Sequence, residues 1–136
     1  MAAHPRPAPD VVAVIAAGGA LGGLARHAVS VAVPTADDGL PWATLAANVS
    51  GSLLLGVLMV VLLERSRPRR YLRPFLGVGV LGGYTTFSTY AVEAVVLLDQ
   101  GRVAAAAAYV VGTLMACLLA TWCGMVAARS LLGRRT

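Results

Sequence analysis

Charged side chains are few in this sequence: 12% of its 136 residues are Asp, Glu, Lys or Arg, and all eleven basic residues are arginine. So little charge, set against 58% apolar residues, excludes an ordinary soluble domain and points to an integral membrane protein. Cysteine is limited to Cys117 and Cys123, which fall in one apolar run on different helix faces and suit neither a disulfide nor a zinc site. Carboxyl groups are missing from the interior of the first two apolar runs, and Glu93 is the only one inside a run apart from Glu64 at the end of the second. That absence weighs against a small proton-coupled exporter of cations or drugs, the runner-up reading, which needs an ionisable carboxyl at its substrate site. No nucleophile, base and orienting group can be assembled from these runs, so the chain is not read as an enzyme. No repeat of about 20 to 50 residues is visible, and any pseudo-symmetry must come from a second subunit.

What the sequence does have is four apolar runs, residues 11–33, 42–63, 75–98 and 103–128. Each is long enough for a membrane helix, which needs roughly 20 mostly apolar residues. The expected fold is therefore an all-α membrane protein with one four-helix transmembrane domain over 11–128. The first run is too long for the apolar part of a signal peptide and is kept as a helix. Before it, the Pro-rich "MAAHPRPAPD" of residues 1–10 reads as an extended, mobile tail. After the last run, residues 129–136 form a basic tail.

Alternation of four helices puts nine arginines on one side: Arg6, Arg65, Arg67, Arg69, Arg70, Arg73, Arg129, Arg134 and Arg135. The other side carries Asp37, Asp38, Asp99 and Arg102, with Arg26 inside the first run nearer that end. The positive-inside rule then places both termini in the cytoplasm. The net charge of +5 reflects these loops and not a nucleic-acid surface.

Small residues supply helix-packing faces: Gly18, Gly19, Gly22 and Gly23 in the first run, and Gly112, Ala116, Ala120 and Gly124 in the fourth. Polar residues within the runs are the functional candidates, because hydrocarbon tolerates them only with a partner or beside water. Thr44, Asn48 and Ser52 recur every four residues along one face of the second run, and Tyr109, Thr113, Cys117 and Thr121 do the same in the fourth. Hydroxyls in such stripes also bond back to their own helix, so the stripes alone do not separate packing from a pathway. Arg26 either snorkels to the interface or stands as a fixed positive charge at a vestibule.

The third run holds "GGYTTFSTY", residues 82 to 90. Gly82 and Gly83 weaken the helix and allow it to break near its middle. Carbonyls freed by a break are hard donors suited to an alkali cation, and are tolerated in a membrane only where buried or lining a cavity. Phe87 and Tyr90 share a helix face, and ring edges carry partial positive charge that suits a small anion. Taken by themselves the residues stop at an ion pathway of unknown selectivity.

At the level of whole motifs the chain resembles the Fluc (CrcB) fluoride channels. "GGALGGLARH" is similar to that family's Gly-Gly-x-x-Gly-x-x-x-Arg element, "TLAANVSGS" to its Thr-Leu-x-x-Asn-x-x-Gly-Ser element, and "GGYTTFSTY" to its Gly-Gly-x-Thr-Thr-Phe-Ser-Thr-Phe signature. The resemblance spans nearly the whole chain. It implies a multi-pass cell-membrane channel, an antiparallel dual-topology dimer in the lipid bilayer, that exports fluoride passively after hydrogen fluoride has entered and dissociated inside. It further implies a structural, untransported sodium ion held by the carbonyls of Gly82 and Thr85. Asn48, Phe87, Ser88, Tyr90 and Thr113 then fall on the fluoride pathway, and Arg26 at the vestibule.

The sequence departs from the family pattern at two points. Tyr90 stands where the second aromatic is usually Phe, and the nine-arginine side is lopsided for a chain that inserts in both orientations. Together they suggest that the partner is an oppositely oriented homologous subunit, in a heterodimer as an alternative to a homodimer.

Overall fold

The computed structural model describes residues 8–34, 39–62 and 70–133, and all regular structure among them is helical. Arg6, Asp37, Asp38, Glu64, the arginines at 65, 67 and 69, and the C-terminal pair Arg134 and Arg135 lie outside the described residues. Helix α1 spans Pro9–Ala32. It starts two residues before the expected run, with Pro9 in its first turn, where a missing N–H costs nothing, and Asp10 facing the positive end of the helix dipole. Asp10 also accepts the Tyr71 hydroxyl at 2.6 Å and pairs with Arg70 at 2.7 Å. Both charged groups are exposed, so the contact orients the helix start without adding much stability.

Helix α2 spans Trp42–Val60. The third run is composite: a π-helical segment Pro74–Leu81, a short α3 at Gly82–Tyr84, and α4 at Ser88–Asp99. Winding stops at Tyr84, Thr85 is extended at φ −79°, ψ 158°, and helix resumes at Ser88. Helix α5 covers Val103–Leu132. At 1.5 Å per residue it is about 45 Å long, more than a hydrocarbon core, and it carries Arg129 in its last turn, where a cation suits the carbonyl end. It therefore takes in the first four residues of the expected basic tail.

Helices α1, α2 and α5 are each long and apolar enough to cross a membrane. The turn between α4 and α5 is set by Gly101 at φ 72°, where Gly101 N–H bonds to the Leu98 carbonyl at 2.8 Å and Arg102 N–H to that of Leu97 at 3.0 Å. This is a Schellman stop, which requires the left-handed conformation that glycine adopts most cheaply.

Two glycine seams hold the bundle. Along the first, Gly18 of α1 meets Gly79 of the third run, Gly19 meets Gly83, and Gly22 lies so close that a Cβ there would overlap the Val80 carbonyl. The second joins α2 to α5, with Gly56 against the Thr121 backbone and Gly124 against Leu53. Both are small-x-x-x-small contacts, in which backbone packing replaces a hydrophobic drive that lipid does not supply. The fourth run uses only part of its expected face: Gly112 has open space around it within this chain, because the α2 seam lies at the other end of α5. A buried cluster of Leu97, Ala106 and Tyr109, with Leu40, Tyr90 and Ala94 against it, fastens α4 to α5.

Candidate functional site

The polar groups of the four runs converge on the interruption at Thr85 to Phe87. Asn48, 8% exposed on α2, reaches across to the backbone of Thr86. Its Nδ2 donates to the Thr86 carbonyl at 2.9 Å, and the Thr86 N–H donates to its Oδ1 at 2.8 Å. One side-chain amide thus satisfies both backbone groups of one residue, which low-dielectric surroundings would otherwise penalise heavily. An amide nitrogen has two N–H groups, so Asn48 has a second donor beyond the one given to Thr86.

Neighbouring hydroxyls complete the local pairing. Thr85 gives both its N–H and its Oγ1 to the Leu81 carbonyl, at 3.0 and 2.9 Å. Thr86 Oγ1 accepts the Thr89 N–H at 3.2 Å and donates to Thr89 Oγ1 at 3.0 Å, the pattern of a helix N-cap. The N–H groups of Thr86 and Thr89, which a continuous helix would return to the carbonyls of Gly82 and Thr85, are therefore engaged by side chains. These are the two carbonyls expected to hold a cation. A pair of oxygen donors of this kind fits a hard alkali ion.

A cavity of about 490 Å³ opens beside the interruption, walled by Asn48, Ser52, Gly82, Thr85, Phe87, Tyr90, Thr113 and Cys117 among others. Six of the expected site residues thus share one wall, Ser88 being outside it. Ser88 is exposed and lies 3.4 Å from the Thr86 hydroxyl. Thr113 is 5% exposed and its Oγ1 has no hydrogen-bond partner. Its stripe divides by role: Tyr109 bonds to Glu93, Thr113 and Cys117 line the cavity, and Thr121 bonds back to the Cys117 carbonyl at 2.9 Å.

Phe87 is 80% exposed, with its ring 5.7 Å from that of Tyr90, which lies 5.3 Å from Tyr109. The Tyr90 hydroxyl donates to the Val110 carbonyl at 2.9 Å, so the extra oxygen at this position serves α5. Arg26 lies in a separate cavity of about 270 Å³, lined also by His27, Thr44, Thr86 and Thr89. Thr86 is shared ground: its backbone side meets Asn48 and its other face borders the arginine's cavity.

Sequence reasoning noticed Glu93 but not its partners. The carboxyl accepts Thr44 Oγ1 at 2.8 Å and Tyr109 OH at 2.7 Å, linking α2, α4 and α5. Both donors head the two polar stripes, which was the available signal. Tyr84 was likewise unassigned, and its hydroxyl lies 2.9 Å from Ser50 Oγ.

Apolar helices that turn their few polar groups inward on a cavity define an integral membrane protein with a polar site at membrane depth. The chain belongs to the CrcB family: the family model described as "CrcB-like protein, Camphor Resistance (CrcB)" matches residues 13–125. It is 48% identical over 122 residues, 90% of this chain and 79% of the relative, to fluoride-specific ion channel FluC 1 of Streptomyces coelicolor. It is 46% identical to FluC 2 of Nocardia farcinica over 89% of this chain and 86% of the relative. With FluC of Agrobacterium fabrum it shares 37% identity over 88% of this chain and 97% of the relative.

Proposed function

We propose that this chain is a subunit of a fluoride-specific channel of the cell membrane that lets the ion run down its electrochemical gradient. The observation that carries the reading is the buried, unpartnered Thr113 hydroxyl in the same wall as Asn48, Phe87 and Tyr90. An unpaired hydroxyl at membrane depth is costly, and an ion passing through the cavity supplies the missing partner. Fluoride is a small, strongly hydrated acceptor. The second N–H of Asn48, the Thr113 hydroxyl and the ring edges of Phe87 and Tyr90 replace its water, with Ser88 farther along and Arg26 raising the anion concentration at the mouth. Membership of the channel family leaves no role for enzymatic chemistry.

The third run crosses as one span interrupted at Thr85 to Phe87, and the carbonyls of Gly82 and Thr85 hold a structural sodium ion there. The diverted N–H groups of Thr86 and Thr89 support this assignment. When bound, sodium supplies a fixed positive charge that neutralises the freed carbonyls. The functional unit is an antiparallel dimer whose second, oppositely oriented homologous subunit covers the exposed Phe87 ring.

Fluoride efflux from liposomes, compared with chloride, tests the function: rapid fluoride release with chloride retained is expected. No fluoride release from the chain, alone or with its paired homologue, overturns it. Reporter fusions at the C-terminus of the chain expressed alone test the pairing; an even split between the two sides of the membrane argues for a homodimer.

Tyr90→Phe removes the bond to Val110, worth about 0.5–1.5 kcal/mol net, and frees the ring to tilt. A lower melting temperature together with an altered fluoride rate is expected. An unchanged rate assigns Tyr90 to packing alone.

A further inference from the structure

An interrupted helix offers carbonyls to an ion only while its own amides are kept away from them. Three residues of non-helical chain do not guarantee this, since amides near a break readily re-pair with the nearest acceptor. Here the re-pairing is blocked by two side chains. Asn48 Oδ1 holds the Thr86 N–H at 2.8 Å, and Thr86 Oγ1 holds the Thr89 N–H at 3.2 Å. The Leu81 carbonyl takes both donors of Thr85, so the Gly82 carbonyl is the first to lose its helical partner. With Thr85 extended at ψ 158°, the chain turns away before Thr86 can close a further helical turn.

We propose that Asn48 and Thr86 are positioning residues for the cation: they sequester the two amides that would compete for the Gly82 and Thr85 carbonyls, and so set the ion's affinity without being its ligands. This rests on the sodium reading above. It also joins the two ion sites through one side chain, because the Asn48 amide that faces the anion cavity is the same group that holds the cation site open.

Thr86 gives the cleaner test, because Asn48 bonds to its backbone and not to its side chain. Thr86→Val replaces the hydroxyl by a methyl group and frees the Thr89 N–H to compete for the Thr85 carbonyl; Thr86→Ser keeps the acceptor. The purified protein is titrated with sodium chloride against N-methylglucamine chloride at constant ionic strength, and the sodium-dependent rise in unfolding temperature is recorded. For Thr86→Val the sodium concentration giving half of that rise should increase roughly tenfold, the scale of one competing hydrogen bond, while Thr86→Ser stays within about twofold of wild type. An unchanged half-point in Thr86→Val overturns the proposal while leaving the sodium site standing. A wild-type protein with no sodium-specific rise removes the sodium reading itself, and this inference with it. Should Thr86→Val not fold, Thr86→Cys, whose thiol is a weak acceptor, replaces it with the same expected direction and the same overturning result.

Discussion

Asn48→Leu is expected to abolish fluoride transport, and through two separable losses. The first is the donor that faces the cavity. The second is the pair of hydrogen bonds to Thr86, whose part-buried N–H and carbonyl would both lose their partner at a cost of up to about 1–3 kcal/mol each. The leucine has the same branched four-atom skeleton as the amide and is the larger of the two, so a simple cavity is not the cause. If the donor contributes about 2.7 kcal/mol to the barrier for entry, its loss alone slows transport by roughly 100-fold. Asn48→Asp tells the two apart by degree: it keeps an acceptor for the Thr86 N–H but gives up both amide donors, including the one to the Thr86 carbonyl, and adds charge. Fluoride efflux and thermal unfolding measured on both variants check this. Both variants should lose transport; leucine leaves both Thr86 groups without their partner, aspartate the carbonyl alone. Near wild-type efflux in the leucine variant would show that Asn48 neither meets the ion nor shapes the break.

Much of this arrangement is legible in the sequence, and the limits have physical causes. Four apolar runs set the helices because length and hydropathy are local properties. The Gly18 and Gly22 face was readable for the same reason, as was the four-residue spacing of Thr44, Asn48 and Ser52. Periodicity gives a face, however, and not what that face meets. Glu93 is 49 residues from Thr44 and 16 from Tyr109, and only the packing of α4 against both α2 and α5 brings all three together. The π-helical winding of Pro74–Leu81 was hidden too, since its glycines signal weak helix and not a wider turn. Ser88 reads as a pathway residue by motif, and within the single chain it is exposed beside the Thr86 hydroxyl. Thr121 continues the Tyr109 stripe in spacing but spends its hydroxyl on its own helix.

Tyr109→Phe is expected to produce the largest loss of stability among single-atom changes in this protein. Its hydroxyl donates to Glu93 Oε2 at 2.7 Å, while Thr44 donates to Oε1 at 2.8 Å, and these are the donors that bind the carboxyl between three helices. Removing the phenolic oxygen leaves a carboxyl oxygen short of a partner where lipid offers none, at a cost of about 1–3 kcal/mol, more if the group is charged. The ring itself stays packed against Tyr90 and the Leu97–Ala106 cluster, so lost packing does not account for the effect. A double-mutant cycle with Glu93→Leu isolates the bond. The double variant should be less impaired than the sum of the two single ones, by about 1–3 kcal/mol, because both halves of the Tyr109–Glu93 pair are gone, while the Thr44 hydroxyl loses its acceptor equally with and without Tyr109 and so cancels in the cycle. Additive losses in thermal unfolding would mean that the Tyr109 bond contributes nothing of its own. The cycle also bears on transport, since Tyr109 supports the Tyr90 ring and stands one turn before Thr113. If Glu93 acts only as a fastener for α2, α4 and α5, the fluoride rate per folded protein should recover in the double variant along with stability. If stability recovers and the rate does not, the carboxyl has a direct part in moving the ion.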